Sequence, residues 1–258
     1  MVTEYGSLKT RTGARVMKSL ECLTFMDAFL SCNRVIYNGP TESKKSRTGD
    51  TVGTHALSYL VMDASSYDFF DSIEGRITRE YAESFWQFMI SGGTNASENF
   101  KKWAGTSQFY KKSEDSGLPD NFNTLYGPRI IKQIDALIEE LNDNPDTRRG
   151  VVLILDANDQ MLLNKDETVE YPCTIGTVYF LYKGKLCAHC LMRSQNMATV
   201  AQLDMYLQGK LLEHVARRLG RDIGSFYSTI TDAHIYMKDI AYVRLILEKH
   251  GDNSLQNR

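Results

Sequence analysis

Two runs of strand-forming residues, 174–182 and 185–193, are separated only by Lys183-Gly184. So short a connection between β-branched and aromatic runs predicts a hairpin, because only a tight turn spans it. The elements around it follow no regular strand–helix alternation. Apolar residues at helical spacing predict a first helix over 17–33, a buried helix over 76–91 ended by Gly92-Gly93, and an amphipathic helix over 128–142 with Pro128 near its start. Asn144-Pro145-Asp146 terminates the third of these. Further helices are expected over 199–219, ending at Gly220, and over 237–249, with strands over 51–63, 150–156 and 224–231. The stretch 38–50, rich in turn formers, reads as a polar loop, and 105–125 as a flexible surface loop. This mixed order implies an α+β layered fold rather than a repeated βαβ unit. The chain reads as a single domain over 1–258, with 1–16 as an N-terminal extension.

Composition narrows the partners. A formal net charge of −2 over 258 residues gives no electrostatic footprint for nucleic acid, so an anionic ligand must be held by a local arginine cluster. No apolar run approaches the roughly 20 residues of a membrane span, and 1–16 lacks the apolar region of a signal peptide. Five scattered cysteines argue against a disulfide framework and for a reducing, cytoplasmic setting.

Four short segments carry candidate chemistry. In Tyr171-Pro172-Cys173-Thr174 a cysteine follows a stiff proline and precedes a strand. Alone it reads first as a small buried apolar residue. As a nucleophile it needs the thiolate, which nearby positive charge stabilises, and Arg47, Arg148, Arg149 and Arg193 are the candidates. Asn144-Pro145-Asp146-Thr147-Arg148-Arg149 ends in two guanidinium groups, either a solvated face or a bidentate phosphate clamp. Arg193-Ser194 closes a strand with a charge and a hydroxyl. His234 and Tyr236 are two apart on an extended segment and share a side, as a sugar-hydroxyl site or a satisfied core pair. Cys187-Ala188-His189-Cys190 superficially suggests a metal motif, but within one strand Cys190 points away from Cys187 and His189, and no second ligand cluster has zinc spacing. No metal is expected.

Arg47-Thr48-Gly49, Glu83-x-x-Trp86, Tyr126-Gly127, Asn144 to Arg149, Pro172-Cys173, Arg193-Ser194 and His234-Ile235-Tyr236 occur in the order and spacing of thymidylate synthases. The chain resembles that superfamily from about residue 17 to residue 243. The resemblance implies an α+β homodimer built on a large mixed sheet, the sheet forming the subunit interface. It implies 5,10-methylenetetrahydrofolate as co-substrate and a pyrimidine nucleoside monophosphate as acceptor. Cys173 would attack C6 of the base. Arg47, Arg193 and Ser194 would bind the 5′-phosphate, with Arg148 and Arg149 reaching it in the neighbouring subunit. His234 and Tyr236 would bind the sugar, Glu83 would organise proton transfer, and Tyr126 would help remove the C5 proton. Trp103 and Asn196 would face the folate.

Departures from that family carry information of their own. Asp204 stands where thymidylate synthases have Asn pairing with uracil O4 and N3–H. A carboxyl group matches cytosine instead, accepting from the N4 amino group and sharing a proton with N3. An acid in the first turn of a helix is also what the helix dipole favours. Thr174 replaces the usual His, as in the superfamily's phage cytidylate hydroxymethylases, and Asn196 replaces an Asp. Only 22 residues follow Tyr236, so the long closing segment of thymidylate synthases is not expected and the site is wetter. These readings together imply a deoxycytidylate (dCMP) 5-hydroxymethyltransferase. Cytidylate methylation, thymidylate synthesis or uridylate hydroxymethylation, and non-catalytic nucleotide or RNA binding are the alternatives. The last fits poorly, because the nucleophile and arginines are all present.

Overall fold

The computed structural model describes residues 18–39, 42–46, 49–73, 77–94, 126–162 and 171–250. Arg47 and Trp103, the extension 1–16 and the loop 105–125 lie outside them. Seven strands form one mixed sheet: β1 Lys18–Cys22, β2 Glu42–Ser46, β3 Gly49–Val61, β4 Val151–Leu153, β5 Thr174–Tyr182, β6 Lys185–Asn196 and β7 Ile223–Tyr236. The order is β1-β3-β7-β6-β5-β4, with β2 also on β3. β1 runs parallel to β3, and β6 parallel to β7; the other pairs are antiparallel. The long strand β3 takes β2 along Gly49–Gly53 and β1 along Leu57–Val61, and Ala56, at φ 52°, lies between the two partners.

The helices are α1 Phe25–Asn38, α2 Phe69–Ser72, α3 Arg79–Ile90, α4 Tyr126–Asp143, α5 Ala201–Leu219 and α6 Ile240–His250. Phe25 of α1 packs its ring on Phe226 of β7, and α5 lies along β6 and β7, with α3 and α4 packed against α5. Leu186, Ala188, Cys190 and Met192 of β6 and Phe226, Ser228 and Ile230 of β7 are buried. The alternating residues His189, Leu191, Tyr227 and Thr229 keep some exposure. That period of two marks a sheet with one face fully covered by its own chain. No helix of the described residues is long and apolar enough to cross a membrane.

Several expected boundaries move, each for a local reason. Residues 17–33 are not one helix: Leu20 and Cys22 are buried in alternation on β1, and Thr24 then starts α1. Thr24 accepts from the Asp27 backbone while the Asp27 carboxylate accepts from the Thr24 backbone, a capping box that fixes the start at Phe25. The polar stretch 38–50 contains β2, an edge strand whose lysines suit a sheet edge. The strand over 150–156 shrinks to three residues, followed by a 3-10 turn at Ala157–Leu162. The segment 237–249 opens with a 3-10 turn, Met237–Asp239, before α6. β6 runs on to Asn196 and β7 to Tyr236, both past their expected ends. The other described elements lie close to expectation, including the stop at Gly220, which caps α5 at φ 63° where a side chain would be strained.

Candidate active site

The β5–β6 hairpin delivers Cys173. Through most of its length the pairing is in simple register, Tyr182 opposite Lys185 and Gly176 opposite Leu191, but an irregularity between Gly176 and Thr174 shifts it by one residue. Thr174 therefore pairs with Met192, and the Cys173 carbonyl accepts from the Arg193 backbone at 2.9 Å. Without that shift Ser194, not Arg193, would stand opposite Cys173. The Arg193 side chain then folds back on the same segment: Nε donates to the Pro172 carbonyl and one terminal nitrogen to the Tyr171 carbonyl, both at 2.8 Å. That same nitrogen lies 3.7 Å from the Cys173 sulfur, and the guanidinium covers the Tyr171 ring at 4.9 Å. The half-buried thiol thus meets a fixed positive charge, which favours the sulfur anion.

Tyr126, at the start of α4, reaches the same place from the other side. Its hydroxyl oxygen accepts from the backbone N–H of Cys173 and of Thr174, each at 3.1 Å. Burial, followed by the charges of Cys173 and Asp204, raises the phenol well above its ordinary value. Tyr126 is therefore a neutral phenol whose oxygen already has two donors to support developing charge.

The parallel pairing of β6 and β7 sets Ser194 beside Asp232 and Asn196 beside His234. His234 Nδ1 lies 3.5 Å from both Ser194 Oγ and Asp232 Oδ1, and its ring meets Tyr236 edge-on at 5.3 Å. Gly53 of β3 stands opposite His234, and a Cβ there would approach the Ala233 carbonyl to 2.6 Å. Burial lowers His234, outweighing the upward pull of Asp232, so the imidazole is neutral near pH 7. Asp232 in turn takes Lys44 of β2 at 3.2 Å, while Lys44 also contacts His55. The sequence singled out neither Lys44 nor Asp232 for a role; the i, i+2 spacing of Asp232 and His234 on one strand was the available signal.

Asp204 sits in the first turn of α5 and is partly buried. Its Oδ2 accepts from Gln195 Nε2 at 3.3 Å. Burial raises the carboxyl from 3.8 to about 7, with Gln195 alone pulling it down. Its proton is thus exchangeable near neutrality. Glu83 on α3 is held differently. It accepts from the Tyr206 hydroxyl and from Gln87 Nε2 at 2.8 Å. Burial alone would raise it, but those two donors and the charges of Lys210 and Arg79 bring it below its ordinary value. Glu83 lines a cavity of about 280 Å³ with Ser84, Gln87, Phe88 and Ser91. Tyr206, which meets Glu83, follows Asp204 by two positions on α5.

The remaining candidates are not gathered with these. Arg148 and Arg149 are exposed in the turn between α4 and β4, with Arg149 4.0 Å from Glu140. Asn196 uses both ends of its amide locally, donating to Thr199 Oγ1 at 2.8 Å and accepting from the Ala198 backbone at 3.1 Å. Cys187 accepts from the Ser225 backbone and His189 contacts Thr229, while Cys190 is fully buried. Among the described residues no three His, Cys, Asp or Glu side chains are grouped as a metal site.

A family model described as thymidylate synthase matches residues 30–256. Curated relatives include a thymidylate synthase of Bacillus phage phi3T, 25% identical over 119 residues, 46% of this chain and 41% of that protein. The thymidylate synthase of Bacillus licheniformis is 26% identical over 127 residues, 49% of this chain and 44% of the relative. That of Bacillus atrophaeus is 26% identical over 121 residues, covering 46% and 50%. The chain thus spans about half the length of the relatives it matches. The family match runs through every element that positions Cys173, Tyr126, Arg193 and Asp204, and the chain belongs to the thymidylate synthase family.

Proposed function

We propose that this chain transfers a one-carbon unit to C5 of a cytidine monophosphate, dCMP above all, and that water completes the product as 5-hydroxymethyl-dCMP. What carries this reading is Asp204, a carboxyl that burial lifts to about 7 and that, by the family resemblance, stands where the family's Asn reads uracil. A group at that balance accepts from the cytosine N4 amino group and passes its proton to N3, whereas an Asn amide can hydrogen-bond to both positions but has no proton to give up.

The Cys173 sulfur adds to C6 of the base, and the C5–C6 electron pair becomes available at C5 as protonation through Asp204 draws charge towards N3. Bound 5,10-methylenetetrahydrofolate supplies the carbon that C5 takes up. Loss of the C5 proton, which Tyr126 with two backbone donors behind its oxygen assists, breaks the bond between the transferred carbon and the folate nitrogen, so that tetrahydrofolate leaves and an exocyclic methylene remains on C5. Water then adds to the exocyclic methylene: its oxygen bonds the carbon, its proton leaves towards the ionised Glu83, the double bond returns to C5–C6 and the C6–S bond breaks to release Cys173. The lowered Glu83 supports its role as proton acceptor. On the folate side Trp103 and Asn196 are the candidates, and the cavity beside Glu83 offers the room. Asn196 would have to give up a local hydrogen bond to take part.

Arg47, Arg193 and Ser194 hold the 5′-phosphate, and neutral His234 with Tyr236 holds the sugar. Arg148 and Arg149 complete the site of the neighbouring subunit in a homodimer; their exposure and the partly exposed sheet face support this. The enzyme is a single domain and works in the cytoplasm, the host's where a phage encodes it. A second reading, thymidylate synthesis from dUMP, is favoured by the relatives' names. A panel of dCMP, CMP and dUMP with methylenetetrahydrofolate, read by product mass, separates them. The expected result is a CH2O gain on dCMP. A CH2 gain replaces water by hydride, and turnover of dUMP alone removes the cytosine reading.

A further inference from the structure

We propose that Gln195 is the positioning residue that sets base preference at this site: its amide holds the Asp204 carboxyl in one orientation and can pair with that carboxyl whether or not it carries the proton. The inference rests on Asp204 as the reader of cytosine and adds the group that lets it do so.

Gln195 is only 2% exposed, on β6 two residues beyond Arg193. Its Nε2 donates to Asp204 Oδ2, leaving Oδ1 for a ligand. Its own Oε1 is enclosed and has no hydrogen-bond partner among the described residues. Leaving a buried amide oxygen unpaired is destabilising, so a Leu or Met of similar volume would be the better structural choice. The other groups facing Asp204 are Tyr59 from β3, Cys190 from β6 and Tyr126 from α4, and burial raises all three. They are neutral at pH 7, so Gln195 is the group that supports the ionised carboxyl.

A glutamine amide has a donor end and an acceptor end, exchanged by half a turn of its last torsion. With Asp204 ionised, the NH2 end faces it, as seen. With Asp204 protonated on Oδ1, the oxygen that faces the base, Oδ2 still accepts from that NH2 end, though more weakly. Cytosine binding uses both states, because the proton passes between Oδ1 and N3. Uracil offers N3–H and O4, so a proton must stay on the carboxyl to meet O4, and the NH2 end, which pairs best with the carboxylate, works against that. Gln195 thereby favours cytosine without touching it.

Gln195→Met removes both ends of the amide at nearly constant volume. The expected result is a fall of about tenfold in the dCMP-over-dUMP ratio of kcat/KM, carried by KM for dCMP. The acid limb for dCMP should move up by about one pH unit as the carboxylate loses its donor. A purely structural role would lower both nucleotides equally and leave the limb in place. Gln195→His, which keeps one donor and one acceptor nitrogen, should restore the ratio. Should Gln195→Met fail to fold, infrared difference spectra of the unaltered protein with isotope-labelled glutamine serve instead. The amide band is expected to shift as Asp204 titrates, and an unmoved band overturns the inference. If Asp204→Asn leaves the dCMP preference unchanged, the reading of Asp204 itself falls. If Asp204→Asn reverses the preference while Gln195→Met behaves as the parent, only Gln195 loses its role.

Discussion

Asp204 and Glu83 are both carboxylic acids within reach of α5, and their surroundings drive them in opposite directions. Asp204 is enclosed by Tyr59, Cys190 and Tyr126 and has one amide donor, so burial wins and lifts it to about 7. Glu83 keeps more contact with solvent, takes the Tyr206 hydroxyl and the Gln87 amide, and has Lys210 and Arg79 nearby, so donors and cations win. Residue type says nothing of this, because an Asp is ordinarily the stronger acid of the two. The lesson is that the site separates a proton carrier from a proton acceptor by solvation and donor count, the usual way one protein runs acid and base chemistry at neutral pH.

The comparison breaks most visibly at the acceptor. Glu83→Gln keeps the shape and removes the charge, and is expected to lower kcat on dCMP by about 10³-fold, the range of a lost general base. Steady-state turnover measures it; a loss below tenfold would strip Glu83 of its role in proton transfer. The next effect concerns Asp204 and stability. Its value is raised on folding, so its contribution is fully present below an unfolded value near 4 and is lost as pH rises through about 7. Asp204→Asn lacks that loss. Its advantage in thermal unfolding over the parent should therefore grow between pH 5 and pH 8, to at most about 4 kcal/mol, less whatever solvent reaches the carboxyl. A difference that stays flat across that window would mean that Asp204 is not held protonated by burial.

Much of this was legible in the chain. The hairpin at Lys183-Gly184, the stop at Gly220, and the shared side of His234 and Tyr236 all followed from turn chemistry and period. The capping box Thr24-x-x-Asp27 was also present in the sequence, and reading it would have separated β1 from α1. What was not legible depends on tertiary placement. The one-residue shift near Ile175 that sets Cys173 opposite Arg193 is bounded by Gly176, a bulge signal in a strand, but its form depends on Ile154 and Leu155, which donate to the Ile175 carbonyl from just beyond β4. β2 is too polar to show a strand period, and only its pairing with β3 makes it one. Gln195 and Tyr206 carry no motif. Each matters because of the single carboxyl that it meets across 9 and 123 residues of sequence.

Tyr206 offers the finest adjustment of the contrast between the two carboxyls. Its ring stands edge-on to Tyr67 at 5.1 Å and to Phe70 at 5.2 Å, and Arg79 lies over Phe70 while pairing with Asp71. The aromatic contacts fix the ring, and the fixed ring aims its hydroxyl at Glu83. Burial, then the bond to Glu83, raises the phenol, so it donates at any physiological pH and never competes for the proton. Tyr206→Phe keeps the packing and removes the donor. Glu83 retains Gln87, Lys210 and Arg79, so it should rise only part of the way towards Asp204. The acid limb of kcat is expected to move up by about half to one pH unit, with KM for the nucleotide unchanged. Because Glu83 is lowered on folding, its stabilising effect is lost as pH falls, and the variant should lose stability chiefly above pH 5. A limb that does not move would show that Gln87 and the two cations suffice, and would leave the hydroxyl with a packing role alone.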